Sequence, residues 1–155
     1  TFSLWGDSFT PPNTADTDFQ VPKRVNGRPK FSEPLGGLLA MLGALYEDDV
    51  KSVYIHGNLS GYHDVLSAPY VYIPHDVVVP GVLPKGDLVD LAASLTHCRL
   101  RLDGLVDGLN RTIALDEVRT IYKSAIRSSP PNTVSIVFTA DRSSAAHWLL
   151  NSVAE

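Results

Sequence analysis

The sequence predicts an α/β (α+β) protein made of two tandem units of the form β-β-α-β-α, the first with one further strand, and with helices packed on one face of a mixed sheet. Two observations predict this plan. Each half of the chain holds an amphipathic helical segment followed by a short β-branched and aromatic run, which indicates a buried strand. A shift of 83 residues places Val53 on Ile136 and also brings the two helical segments into register. The 155 residues suffice for one domain or two small ones.

The first unit, residues 1–80, opens with two predicted strands, Phe2–Trp5 and Lys23–Val25. Asn26-Gly27 directly after the second strand is a strong turn signal. A helix follows, because apolar side chains recur there at helical spacing. These side chains are Leu35, Leu38, Leu39, Leu42 and Leu45.

The rest of the first unit alternates short elements with clear stop signals. Two acidic residues, Asp48 and Asp49, end the helix, and Val50–Ile55 is predicted to be a strand. Tyr62–Leu66 is predicted to be a short helical stretch that ends before Pro69. Tyr70–Ile73 is predicted to be the last strand of this unit.

Residues 81–97 are assigned as a linker, because the stretch Val77–Asp90 is rich in proline and glycine. The second unit, residues 98–155, starts with two predicted strands, Cys98–Leu102 and Arg111–Leu115. The first of them alternates polar and apolar residues, which is typical of a half-exposed strand.

The second unit continues with the more regular of the two helices. Apolar side chains between Leu115 and Ala125 recur at helical spacing, and Pro130 stops the helix. Val134–Phe138 is predicted to be a buried strand. A closing helix follows, with Asp141 among its candidate capping residues.

Composition excludes several classes of protein. A formal net charge of −4 argues against nucleic-acid binding through a bulk positive field. No apolar run approaches the roughly 20 residues of a membrane-spanning helix. One cysteine, Cys98, allows neither an internal disulfide nor a multi-cysteine zinc site, and we expect a buried, inert thiol.

Several short signatures of the second half occur in order at workable spacing. They are Leu100–Gly104, Leu109-Asn110 followed by Ile113–Val118, Pro131–Ile136 and Ala140–Arg142. Together they resemble the periplasmic domain of the ExbD/TolR family of biopolymer-transport proteins, over roughly Arg99–Glu155. The first half resembles the same plan more weakly, so the chain is similar to two tandem copies.

The resemblance implies a non-catalytic binding or assembly module of an envelope transport complex, located in the periplasm or cell envelope. It implies a protein partner that pairs with an exposed sheet edge, or peptidoglycan as the ligand. It also implies a homo-oligomer or an intrachain pseudo-dimer, and no cofactor.

Two alternatives belong to other functional classes. The 11 prolines and 11 glycines and the lack of an evident catalytic grouping allow a structural subunit of a viral capsid or another large assembly. The run Gly6-Asp7-Ser8-Phe9 after a strand is how SGNH-type hydrolases present a nucleophilic serine, here Ser8. The Gly-x-Asn-Asp and Asp-x-x-His blocks of those hydrolases are missing.

Four residues are the candidate binding residues. Asp141 and Arg142 stand where a strand leads into a helix whose first N–H groups are free for capping or for an anion. His56 and Asn58 stand in the turn after the matching strand of the first half. We expect no catalytic residue and no metal site, because no two histidines have the spacing of a helical ligand pair.

Overall fold

The computed structural model describes residues 1–19, 29–139 and 141–154, and within them it contains four strands and six α-helices. The strands are β1 (Phe2–Asp7), β2 (Val50–His56), β3 (Arg99–Asp103) and β4 (Val134–Val137). The helices are α1 (Leu35–Tyr46), α2 (Tyr62–Ser67), α3 (Leu88–Ser94), α4 (Leu115–Ile121), α5 (Lys123–Ser128) and α6 (Arg142–Ala154).

The four strands form one sheet in the order β1-β2-β3-β4, and each neighbouring pair is parallel. The prediction of an α/β class is therefore confirmed, whereas the prediction of a mixed sheet is wrong. The physical reason is the connection between strands: helices intervene between successive strands, and such crossovers return the chain to run in the same direction.

Helices cover both faces of this sheet, so the prediction that they pack on one face is also wrong. One face carries the main core, where Val53, Ile55 and Leu100 pack with residues of α1, α3 and α5. On the opposite face, Tyr54 packs against Leu149 and its neighbours in α6. Most side chains of β2 are buried, on both faces of the strand, which is typical of a strand between two helical layers.

The two-unit repeat is not confirmed. Strand β2 from residues 1–80 pairs directly with β3 from residues 98–155, so these boundaries do not separate two sheets. The predicted linker at 81–97 contains α3. The predicted strand Lys23–Val25 and the turn Asn26-Gly27 lie outside the described residues.

Two further predicted strands are loops in the structure. Tyr70–Ile73 is an irregular segment in which Tyr72 and Ile73 are buried and Tyr70 and Val71 are exposed, with the Tyr72 ring 5.3 Å from that of Phe31. The segment Arg111–Leu115 makes only isolated bridges, at Arg111 and Thr112, before α4 begins. Burial of the apolar side chains is thus achieved without a continuous ladder of backbone hydrogen bonds.

The predicted helices are present, with one division. The segment Leu115–Ala125 is interrupted at Tyr122, which separates α4 from α5. The Tyr122 side chain is completely buried, and its hydroxyl donates a 2.8 Å hydrogen bond to the Ser60 carbonyl. Helix α1 packs closely against β1. A side chain at Gly6 would lie only 2.4 Å from the Gly36 carbonyl oxygen, so this contact requires glycine.

Asp87 joins two helices by capping both of them. One carboxylate oxygen accepts hydrogen bonds from the N–H groups of Leu88 in α3 and Tyr62 in α2, each at 2.7 Å. The other oxygen accepts from the N–H of His63 at 3.2 Å. The Asp87 N–H donates in turn to the Asp90 carboxylate at 2.8 Å, which completes a capping box.

We expect Asp87→Ala to lower the free energy of unfolding by about 2 kcal/mol, because two helices each lose an N-terminal cap worth about 1 kcal/mol. The measurement is urea denaturation followed by circular dichroism. Asp48→Ala is the matched control, since Asp48 is exposed and lies after the end of α1. Equal unfolding free energies for the two variants would contradict the double-cap role.

Candidate functional site

A row of polar residues lies at the carboxyl ends of three neighbouring strands. Strand register pairs Asp7 of β1 with His56 of β2, and His56 with Asp103 of β3. In open sheets of parallel strands, ligands bind outside the carboxyl ends. This end of the sheet is therefore the first place to look for a functional site.

A cavity of about 490 Å³ opens at this end of the sheet. Residues that follow β1, β2, β3 and β4 contribute to its walls. They include Ser8, Phe9, His56, Gly104, Phe138 and Thr139. Phe9 and Phe138 are 73% and 63% exposed, so the cavity has apolar rims around a polar centre. We call it the strand-end cavity.

His56 and Asp7 form a hydrogen-bonded pair at the wall of this cavity. The His56 Nδ1 lies 2.8 Å from the Asp7 Oδ1, and the side chains are 32% and 9% exposed. Because a carboxylate accepts hydrogen bonds, it favours the tautomer with the proton on Nδ1. The other ring nitrogen, Nε2, lies next to Gly104 on the cavity wall. It is 3.8 Å from the position that a Cβ atom at Gly104 would take. With this tautomer Nε2 carries a lone pair at the cavity wall, because both His56 and Gly104 line the cavity.

Ser8 lies next to this pair but is engaged elsewhere. Its N–H donates to the His56 carbonyl at 3.0 Å, which fixes the turn after β1 to the end of β2. Its hydroxyl accepts a 3.2 Å hydrogen bond from the Glu33 N–H. Within the described residues, the structure records no hydrogen bond between the Ser8 hydroxyl and the His56 ring.

Asp103 holds Thr139, one of the residues that line the strand-end cavity, in place. Its buried carboxylate accepts hydrogen bonds from the Tyr54 hydroxyl and the Thr139 N–H, each at 2.8 Å. The Thr139 hydroxyl donates to the same carboxylate. Burial, and next the hydrogen bond to Asp103, raise the pKa of Tyr54, which keeps its hydroxyl protonated as a donor. These bonds fix the segment after β4 that carries Phe138.

Asn58, one of the predicted binding residues, lies near the site but does not line the cavity. It is 2% exposed, and its side-chain oxygen has no hydrogen-bond partner among the described residues. Its amide packs against α1, where a side chain at Gly37 would lie 2.8 Å from it. The structure therefore places Asn58 in the contact between β2 and α1.

Asp141 is not among the described residues that line the strand-end cavity. Asp141 is exposed, and its carboxylate accepts bonds from the Ser143 N–H at 2.9 Å and the Ser143 hydroxyl at 2.5 Å. These hydrogen bonds lower the pKa of Asp141. The predicted capping role of Asp141 is thus confirmed. Arg142 begins α6, and its side chain lies outside the described residues.

Other candidate chemistry is not assembled in the part of the chain that the structure describes. No group of three or more histidine, cysteine, aspartate or glutamate residues could hold a metal ion there. Among the described helices, none is long and apolar enough to cross a membrane. Cys98 is 3% exposed, and burial raises the pKa of its thiol to about 11.

The sequence analysis missed Tyr54, Asp103 and Thr139 as site residues. A signal was available, because Asp103-Gly104 ends an alternating strand in the same way that Asp7 and His56 end theirs. The prediction of a mixed sheet gave no reason to group these residues. Only parallel pairing brings the carboxyl ends of β1, β2 and β3 to the same edge of the sheet.

We expect Tyr54→Phe to lower the free energy of unfolding by about 1.5–3 kcal/mol, because the buried Asp103 carboxylate loses a donor. Tyr46→Phe removes the same hydroxyl from a residue that is 80% exposed and serves as the control. Urea denaturation of both variants measures the difference. A loss no larger for Tyr54→Phe than for Tyr46→Phe would contradict the role of this hydrogen bond.

We expect native Cys98 to react with iodoacetamide at pH 8 at least about 100-fold more slowly than in denaturant. Only the thiolate reacts, and a thiol with a pKa near 11 is about one part in a thousand ionised at that pH. Mass spectrometry of timed samples gives both rates. Similar rates in the native and denatured chain would show that the thiol is accessible and ionised.

The chain was compared with protein-family models, with curated proteins and with solved structures, and none of them matches it.

Proposed function

We propose that the chain is a hydrolase that acts on a small, uncharged ester in the strand-end cavity, with His56 as general base. The observation that carries the proposal is the 2.8 Å contact between His56 Nδ1 and Asp7, combined with the position of Nε2 towards the cavity. A base held by a carboxylate on one nitrogen and open to a ligand on the other is the arrangement that general-base catalysis requires.

The nucleophile in this proposal is a water molecule rather than Ser8. Ser8 is only 4% exposed, and its hydroxyl oxygen accepts a hydrogen bond from the Glu33 N–H. A water in the cavity can instead donate its proton to His56 Nε2 as its oxygen attacks the carbonyl carbon of the ester. The proton then passes from His56 to the leaving alkoxide, so the products are an acid and an alcohol.

The substrate class follows from the cavity walls. Phe9 and Phe138 offer apolar contact on the rims, and Pro11 and Pro12 lie on the same wall. No lysine or arginine lines the cavity, so its described walls favour a neutral ligand over an anionic one. Thr139 and Thr112 supply the polar groups that can orient such a ligand.

The experiment is hydrolysis of p-nitrophenyl acetate and p-nitrophenyl butyrate by the purified chain. We expect His56→Gln to lower kcat/KM by about 100-fold or more, because general-base catalysis contributes that much. Asp7→Asn should also lower it, since an amide does not hold the required tautomer. Ser8→Ala should stay within about threefold of the parent chain.

His63→Gln is the matched control, because His63 is an exposed histidine of α2 outside the strand-end cavity. No hydrolysis by the parent chain above the buffer rate would overturn the proposal. An equal rate for His56→Gln and His63→Gln would do the same. A loss in Ser8→Ala as large as in His56→Gln would replace the water by Ser8 as the nucleophile.

The ExbD/TolR-like envelope module, its periplasmic location and its binding to peptidoglycan stay predictions from the sequence resemblance. The Asp7–His56 pair at the wall of the strand-end cavity is the observation that supports the catalytic proposal beside them. The capsid alternative likewise stays a prediction.

A further inference from the structure

A second cavity adjoins the strand-end cavity. It has a volume of about 720 Å³ and is lined by residues from α2, from the loop before α4 and from the first turn of α4. Asn13 and Thr112 line both cavities. We call the second one the polar cavity, because its wall contains Asp64, Arg111 and Glu117. Since the two cavities share part of their walls, one ligand of sufficient length would contact both.

Asn13 is held firmly where the two cavities meet. Its side-chain amide donates hydrogen bonds to the carbonyls of Lys30 and Leu109, each at 2.9 Å. Its side-chain oxygen accepts a bond from the Lys30 N–H at 2.8 Å. Because these bonds lie within the protein, Asn13 shapes the shared wall and leaves the recognition of a ligand to its neighbours.

Two carboxylates on the wall of the polar cavity are hydrogen-bond acceptors. Asp64 in α2 is half-buried, and in this structure it accepts a hydrogen bond from the Ser60 hydroxyl. Glu117 is exposed in the first turn of α4. A carboxylate has about four acceptor sites, so these two groups favour a ligand that donates hydrogen bonds.

The same wall also holds hydrogen-bond donors. Arg111 pairs with Asp107 through Nε at 2.9 Å and through Nη2 at 2.8 Å. The N–H groups on Nη1 are not part of this pair, and the Arg111 side chain is 43% exposed. Thr112 is exposed, and its hydroxyl both donates and accepts. A ligand group that donates and accepts hydrogen bonds therefore matches the wall of the polar cavity.

We propose that the substrate is the ester of a short acyl group with a polyol, and that the polyol lies in the polar cavity. This inference rests on the proposed function, because it places the acyl group between Phe9 and Phe138 in the strand-end cavity. A hydroxyl of the polyol donates to Glu117 or Asp64 and accepts from Arg111. An ammonium group would only donate, and a carboxylate would only accept.

The reaction stays the hydrolysis proposed above. Water adds to the carbonyl carbon, and the bond from that carbon to the polyol oxygen breaks. The polyol oxygen takes the proton that His56 received from water, so the products are the carboxylic acid and the free polyol.

The experiment compares the hydrolysis of glyceryl 1-monobutyrate and propyl butyrate by the whole chain. The two esters have the same acyl group and the same three-carbon alcohol, and they differ only in two hydroxyl groups. We expect kcat/KM to be about tenfold or more higher for the glyceryl ester, because each added hydrogen bond contributes a factor of about three or more.

Glu117→Ala should lower this ratio of kcat/KM values about threefold or more, because the polyol loses an acceptor. Asp116→Ala should leave the ratio unchanged and is the matched control. Asp116 belongs to the same turn of α4, its side chain is 95% exposed, and it does not line the polar cavity. Because the ratio compares two substrates on one variant, a partial loss of folded protein does not alter it.

A binding measurement separates this inference from the proposed function. The probe is 3-butoxypropane-1,2-diol, an ether of similar shape that is not hydrolysed, added to the ¹⁵N-labelled chain. Shifts of the backbone N–H signals of Thr112 and Glu117 would support the polyol site even if the chain hydrolysed no ester, whereas the absence of hydrolysis would overturn the proposed function.

Three results would overturn the inference and leave the proposed hydrolase standing. The first is equal kcat/KM for the glyceryl and propyl esters when both are hydrolysed. The second is a preference for butyrylcholine over both esters, which would assign the polar cavity to a cation. The third is ester hydrolysis without any shift at Thr112 and Glu117 on addition of the ether.

Discussion

Parallel pairing of β1, β2 and β3 is the constraint on which the rest of the structure depends. Because the three strands run in one direction and in this register, Asp7, His56 and Asp103 fall in one row at one end of the sheet. An antiparallel neighbour would send one of them to the far end, more than ten ångströms away along a strand of this length. The polar row exists only because helical crossovers reverse the chain between strands.

Two carboxylates of this row, Asp103 and Asp7, have different roles. Asp103 has its carboxylate saturated by Tyr54 and Thr139, so it supports the wall of the cavity. Asp7 holds one nitrogen of His56 and leaves the other directed to the cavity.

Local sequence patterns predicted the strands that form the sheet and most of the helices, but they missed α3 and did not predict the arrangement. The strand at Val50–Ile55 and the helix from Leu35 are present, because their apolar spacing reflects burial directly. The buried side of α1 is formed by Leu38, Met41 and Ala44, whereas Leu39, which was assigned to the apolar face, is 58% exposed. The direction of the strands and the face of the sheet on which α6 packs depend on contacts between residues far apart in sequence, such as Tyr54 and Leu149. The local spacing of apolar residues carries no information about such contacts. His56 was found because it follows a strand; Asp103 was missed because its partners come from other strands.

If Asp7 fixes the tautomer of His56, the ring proton lies on Nδ1, and its position can be observed by NMR. Two-bond ¹H–¹⁵N correlation spectra of the chain, recorded at a pH where the ring is neutral, distinguish the two nitrogens. The account predicts a proton on Nδ1 and a bare Nε2 in the parent chain, and loss of that preference in Asp7→Asn. A neutral His56 with its proton on Nε2, or a spectrum unchanged by Asp7→Asn, would contradict it.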